Sequence, residues 1–378
     1  MVGGARADGR SKGKNDVTAR TGLAAKIAAH IRRDGPLSVA MFMTLALHDS
    51  DCGYYAQRDP IGRTGDFITA PEISQIFGEL IGLCLADWWQ RAGQPRPVIL
   101  AEFGPGRGTL MADLLRAAAT VPGFCGALEL HLVETSPRLH EAQRRRLAEA
   151  RPQFAAGVDD LPAGPLLLVA NEFLDALPIR QFVRGHADWA ERLVGLDAGG
   201  RLVFAHGPES PAATLLVPER LRGEPLGSIV EVCPAAAALA AALGVRFART
   251  PGLALFVDYG YRASRRGATL AAVRRHAPAS VFDDPGECDL SAHVDFATFA
   301  AAARTAGAIV HGPVAQRQFL LSLGAEQRCA MLAADATPAQ RDALQTGLHR
   351  LIAPEQMGTL FQVLALTSPG MPAPAGFA

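Results

Sequence analysis

The sequence predicts a doubly wound α/β fold, a mostly parallel sheet with helices on both faces. Three observations carry this. Val98 to Thr109 (VILAEFGPGRGT) reads as an apolar strand, a glycine turn at Gly104, Gly106 and Gly108, and a helix start. From Pro97 onward, apolar runs alternate with helical stretches. Runs such as LLLVA (166–170) have the composition of strands buried on both faces. Several runs also end in polar residues, namely Glu102, Glu134, Asn171 and Asp258. In this fold small ligands sit outside the carboxyl ends of the strands.

Composition sets the outer bounds. The 378 residues suffice for one large domain or two ordinary ones. A formal net charge of +0 gives no global field toward nucleic acid or membrane. The six cysteines are scattered, with no C-x-x-C and no histidine at metal spacing, so they read as reduced thiols and no metal site is expected. No apolar run approaches the ~18–20 residues of a membrane span. Residues 1–20 lack the apolar core of a secretory signal and read as a disordered basic tail. Their arginine-rich start leaves organelle targeting as an alternative.

Taken in order, residues 21–96 read as an N-terminal helical region. Helices are expected over Leu23–Arg32 and from Ser38 behind Pro36, followed by a polar, glycine-punctuated loop over 52–66 containing Tyr54 and Tyr55. Thr69-Ala70-Pro71-Glu72 has the chemistry of a capped helix start, with Glu72 as a capping-box acid rather than a ligand. Apolar residues from Ile73 to Trp88 then recur at helical spacing, predicting one long helix to Gly93. The sheet core is expected over 97–182 and 250–367. Strands fall at 98–103, 128–133, near Phe154, at 166–170, 252–258 and 359–366. Helices fall at 109–119, 137–149, 295–306 and between 316 and 352. Between the halves of the core, 183–249 reads as an insertion, a lid or substrate platform, with an antiparallel hairpin (192–197 and 201–204) and an alanine-rich helix from Pro234 to Leu243. Residues 368–378 read as a flexible tail.

The glycine spacing narrows the cofactor. A dinucleotide turn is G-x-G-x-x-G with the diphosphate on the helix N-terminus. Here the third glycine arrives one residue early, and Glu102 precedes the first by two. A carboxylate there repels a diphosphate and suits a cationic amino group, the pattern of S-adenosyl-L-methionine. The alternative is a tight turn with a solvated acid. Glu134 ends the second strand, where this fold receives ribose hydroxyls; capping the next helix is its other reading. Asp159 or Asp160 could meet the adenine amino group, although Asp-Asp before Leu-Pro is also ordinary turn chemistry.

The fourth strand ends in NEFLDALP (171–178), facing the place where a sulfonium methyl would lie. Glu172 and Asp175, three apart, could converge on one cation. A guanidinium, with a pKa above ~13, has a scarce lone pair, and two carboxylates could orient it and accept its proton. For Asp175, helix capping is an equal alternative. His293 and Asp295 form either a substrate-positioning pair or a half-buried histidine beside a helix cap. No G-x-S-x-G elbow exists, which disfavours a hydrolase.

With these residues in view, the chain resembles the MidA-like family, that of the mitochondrial complex I assembly factor that methylates arginine. The resemblance spans about 23–367. It is carried by GYY (53–55), GRTGDFITAPEISQIFGE (62–79), EFGPGRGT (102–109), NEFLDALP (171–178), FVDYGY (256–261), DPGECDLSAHVDF (284–296) and MGTLFQVLAL (357–366). It implies a class I S-adenosyl-L-methionine-dependent methyltransferase that symmetrically dimethylates an arginine in the quinone-proximal subunit of complex I. By matching motif, Gly65, Asp66, Phe67 and Thr69 join Glu102, Gly104, Gly106 and Glu134 around the cofactor; Asp160 and Asn171 are further cofactor candidates from their places after the third strand and at the end of the fourth. Glu172 lies at the reacting centre, with Asp175 and His293 as further catalytic candidates. The expected partner is a protein substrate, a complex I subunit, with no nucleic acid and no membrane span; a homodimer is left open. The expected site is the cytoplasm of a bacterium, or the mitochondrial matrix in a eukaryote. The same fold acting on another nitrogen nucleophile, and a non-catalytic cofactor-binding assembly chaperone, are the competing readings.

Overall fold

The computed structural model describes residues 22–57 and 68–377. Its central sheet contains β1 (Val98–Phe103), β2 (Leu128–Val133), β3 (Gln153–Ala155), β4 (Leu166–Asn171), β5 (Gly252–Tyr261), β6 (Ile309–Ala315) and β7 (Phe361–Thr367). They lie side by side in the order β3-β2-β1-β4-β5-β7-β6, with the short strand Val294–Asp295 also paired to β5. The pairings from β3 through β5 are parallel. Strand β7 runs antiparallel to both β5 and β6. The order reverses between β1 and β4, so the chain leaves these neighbours in opposite directions and opens a crevice at their carboxyl ends.

The two-residue period of the strands divides the core. On one face Leu167, Val169, Leu253 and Leu255 pack with α5 (Gln75–Arg91) and α6 (Thr109–Ala118). On the other, Leu166, Leu168, Ala254 and Phe256 pack with the helices Pro234–Phe247 and Phe296–Thr305. Every residue of β1 and β4 is buried, as a sheet covered on both faces requires. Helices α5 and α6 approach closely because Gly82 has no side chain; a Cβ there would stand 2.4 Å from the Leu114 carbonyl oxygen.

The expected helix over 69–93 is two helices. α4 (Ala70–Ile73) stops at Ser74, which is extended at φ −157°, and α5 begins afresh with the Ser74 hydroxyl accepting from Ile76 N. Thr69 makes no side-chain cap bond, and Glu72 instead accepts from the Thr109 hydroxyl. Capping-box chemistry is thus present in the sequence and bypassed, because Ser74 supplies the cap one turn later.

The hairpin of 192–197 and 201–204 is Trp189–Leu196 against Leu202–Ser210, its turn tied by Gly199 N and Arg201 N donating to Asp197. It belongs to an antiparallel sheet that also takes in Arg180–Arg184, Ile229–Val232 and, from the N-terminal region, Leu37–Ser38. Helices α1 (Gly22–Asp34) and α2 (Val39–His48), followed by the short α3 (Tyr54–Gln57), cover this sheet through Leu23, Ile27, Phe42 and Met43. A third sheet joins Ala277–Ala279, Ala271–Arg274 and Asp289–Ser291. The segment 368–377 is packed rather than free: Trp88 Nε1 donates to the Pro372 carbonyl at 2.8 Å, and the Phe377 ring lies 5.4 Å from that of Phe319. Among the described residues no helix is long and apolar enough to cross a membrane.

Candidate active site

A cavity of about 390 Å³ opens at the carboxyl ends of β1, β2 and β4. Its floor is the glycine turn. Gly104, Gly106 and Gly108 adopt φ of 62°, 51° and 74°, the left-handed region that an L side chain resists. Gly108 thereby starts α6.

Glu102, on the last turn of β1, is only 3% exposed and lines the cavity. Its Oε2 has no hydrogen-bond partner among the described residues, and burial pushes its carboxyl up to about 8. A buried, unsatisfied acid is costly on its own and calls for a cationic ligand. Glu134 follows β2 on the neighbouring strand. Its Oε1 accepts from Thr135 N and Ser136 N, both at 2.8 Å, while the residue lines the cavity. It therefore fastens its own turn and faces the ligand. Burial raises its pKa, and the two amides oppose the shift. An amino cradle and a hydroxyl acceptor on adjacent strands, over glycine backbone, fit S-adenosyl-L-methionine.

Glu172 stands just past β4 at φ +50°, a conformation few non-glycine residues hold. Its Oε1 accepts from Ala70 N at 3.1 Å and from the Asn171 side-chain amide at 3.0 Å. Burial, with the charges of Asp175 and Asp289, pushes it to about 7, against those two bonds. Asp258 at the end of β5 accepts from Phe173 N, Leu174 N and Asp175 N and so shapes the turn that holds Glu172.

The structure brings Thr69, Glu102, Gly104, Gly106, Glu134, Asn171 and Glu172 to one cavity. Gly65, Asp66 and Phe67 lie outside the described residues. Three candidates stand apart. Asp175 is buried behind the wall, bonded to the Tyr259 hydroxyl, with burial raising it to about 6. It caps no helix, and the turn after the left-handed Glu172 carries it out of the cavity lining, from where its charge still acts on Glu172. Asp160 is exposed and accepts from Ala156 N; the cavity wall is formed instead by Ala156, Gly157 and Val158. His293 packs edge-on against Tyr259, 5.6 Å between centroids, away from the cavity. Its neighbour Asp295 caps the helix Phe296–Thr305 through Ala297 N and Thr298 N.

Sequence reasoning missed His48 and Tyr55, which line the cavity from the N-terminal region, and Asp289, whose Oδ1 accepts from the Tyr55 hydroxyl at 3.0 Å. The aromatic pair in a polar loop was a signal for Tyr55. His48, the last residue of an ordinary helix, carried none. Among the described residues no group of three or more His, Cys, Asp or Glu side chains is placed to hold a metal ion.

Known proteins provide a separate line of evidence. The family model described as "Putative S-adenosyl-L-methionine-dependent methyltransferase" matches residues 80–314. The chain is 36% identical over 369 residues to protein arginine methyltransferase NDUFAF7, mitochondrial, of Danio rerio, covering 90% of this chain and 85% of that protein. For the Homo sapiens protein of the same name the identity is 34% over 365 residues, with coverage of 89% and 81%. A crystal structure from Burkholderia thailandensis bound to S-adenosyl-homocysteine superposes with a TM-score of 0.80 at 29% identity, covering 93% of both chains.

Proposed function

Because the chain belongs to this S-adenosyl-L-methionine-dependent methyltransferase family, we propose that it methylates an arginine side chain of a protein, forming symmetric dimethylarginine in the quinone-proximal subunit of complex I. The observation that supports arginine is Glu172, a carboxylate at the cavity wall backed by Asp175, Asp258 and Asp289. Glu172 in the cavity lining, with three further carboxyl groups packed behind it, suits a cationic acceptor. The relatives named above are arginine methyltransferases. The complex I substrate and the symmetric product come from the family resemblance, as do action in a bacterial cytoplasm or a mitochondrial matrix.

When bound, S-adenosyl-L-methionine supplies an electrophilic methyl on a sulfonium. Glu102 would take the amino group, giving its orphaned oxygen a partner and an incentive to ionise. Glu134 would take ribose hydroxyls, and the glycine turn allows backbone approach. Glu172 does the acid–base work. Ala70 N–H and the Asn171 amide hold Oε1, leaving Oε2 to accept a guanidinium N–H, localise the charge and receive the proton as the nitrogen is alkylated. A carboxyl raised to about 7 suits this role better than an ordinary glutamate. Tyr259 and Asp258 hold the turn behind it.

Mass spectrometry of complex I from cells with and without this gene tests the reading. Loss of one symmetric dimethylarginine is expected on deletion; an unchanged modification pattern would overturn it.

A further inference from the structure

Among the described residues, the end of the cavity that holds Glu172 groups hydrogen-bond acceptors with donors most of which are already committed. The Tyr55 hydroxyl gives its proton to Asp289 Oδ1 at 3.0 Å, and a phenol has only one to give. The Asn171 amide donates to Glu172, and its Oδ1 is buried with no hydrogen-bond partner among the described residues. Ala70 N–H is also taken by Glu172. The side chains of Tyr55, Asn171 and Glu172 therefore offer a ligand mainly lone pairs. Thr69 and His48, at the same end, can donate or accept.

Three distant segments meet here: Tyr55 from the N-terminal region, Asn171 and Glu172 from the end of β4, and Asp289 from the third sheet. Asp289 itself does not line the cavity; Tyr55 stands between it and the ligand space.

We infer that Tyr55, oriented by Asp289, is a specificity-determining residue of the acceptor site, its phenol oxygen accepting an N–H of the substrate guanidinium beside Glu172. The inference rests on the arginine reading above. A guanidinium carries five N–H donors in a planar fork and no acceptor, so it can satisfy Tyr55, Asn171 and Glu172 together. Citrulline, the neutral near-isostere, places a carbonyl oxygen where one of those donors would be and sets lone pair against lone pair. Asp289 keeps this contrast sharp by holding the Tyr55 proton away from the cavity. The ring itself packs at 5.2 Å on Tyr54 and 5.5 Å on His48, so the hydroxyl can be removed while the aromatic packing stays.

The test uses the full chain, as wild type, Tyr55→Phe and Asp289→Asn, saturated with S-adenosyl-homocysteine. The probes are Gly-Gly-Arg-Gly-Gly and its citrulline and lysine counterparts, titrated by calorimetry. Wild type is expected to prefer the arginine peptide. Tyr55→Phe is expected to lose about tenfold or more of that affinity, the scale of one hydrogen bond to a charged donor. Asp289→Asn is expected to lose less in the same direction, and S-adenosyl-homocysteine affinity is expected to stay unchanged in both. Arginine preference retained in Tyr55→Phe would overturn this inference and leave the arginine reading standing. Equal loss of cofactor affinity or of thermal stability would also overturn it, by giving Tyr55 a structural role. A wild type that does not separate arginine from citrulline would overturn the arginine reading and this inference with it.

Discussion

Glu102→Gln separates what the cofactor site costs the protein from what it contributes to binding. In the folded chain Glu102 is buried at 3% exposure, Oε2 has no partner among the described residues, and its pKa moves from 4.5 to about 8. The folded state therefore keeps a proton that the unfolded state releases. Stability from this group is fully present below pH 4.5 and is lost as pH rises toward 8. A shift of that size corresponds to at most about 5 kcal/mol at alkaline pH, at ~1.4 kcal/mol per unit. Glutamine has the same shape and no such titration. Urea melts of the ligand-free full chain across pH 5 to 9 are expected to show the variant losing less stability than wild type over that window. Calorimetry is expected to show the reverse for binding. Loss of a charged hydrogen bond, about 2–3 kcal/mol, weakens S-adenosyl-homocysteine roughly 30- to 150-fold. Wild type at pH 7, titrated in two buffers of different ionisation enthalpy, is expected to release close to one proton on binding, and the variant none. Parallel pH profiles of the two proteins, or undiminished affinity in the variant, would refute the reasoning.

Other outcomes follow from the same geometry. Glu172→Gln is expected to keep S-adenosyl-homocysteine binding within a fewfold and to lower turnover by ~10² or more, read by single-turnover methyl transfer. Because burial raises Glu172 to about 7 and it must be ionised to accept a proton, wild-type turnover is expected to climb as pH rises through 7. A flat profile between pH 6 and 8 would remove it as the base. Gly106→Val puts a β-branched residue at φ 51° in the cofactor turn and is expected to abolish S-adenosyl-homocysteine binding by calorimetry. Gly82→Ala sets a methyl 2.4 Å from the Leu114 carbonyl oxygen and is expected to cost about 1–3 kcal/mol in chemical denaturation through forced separation of α5 and α6.

The cofactor half of the site was legible because it is local. A strand, a glycine turn and an acid two residues earlier are contiguous, and the β1–β2 register pairs Glu102 with Leu132, which puts Glu134 two residues further on at the same end of the sheet. The strands Leu166–Asn171 and Gly252–Tyr261 were equally legible, since burial on both faces leaves an unbroken apolar run. In the acceptor half only Asn171 and Glu172, at a strand end, were legible. Tyr55 and Asp289 are 234 residues apart in sequence, and no periodicity reports that they touch. The left-handed backbone of Glu172 was hidden as well, because glutamate does not advertise it; spacing alone then sent Asp175 to the wrong side of the wall. Strand β6 escaped because it is a half-buried edge with a bulge between His311 and Val314, so it lacks both the apolar run and a clean alternation. The packed segment 368–377 escaped for another reason: two of its anchors are backbone carbonyls taken by Trp88 and Arg91, which any sequence could offer, and its scattered apolar residues such as Phe377 show no periodicity.

The central claim is methyl transfer to arginine with Glu172 as the base. It is tested most directly by incubating the purified full chain with methyl-labelled S-adenosyl-L-methionine and solubilised complex I from cells lacking this gene, and then mapping the label by mass spectrometry. Label is expected on the guanidino nitrogens of one arginine in the quinone-proximal subunit with wild type, and none with Glu172→Gln. Label on another residue type, or equal labelling by the Glu172→Gln variant, would contradict it.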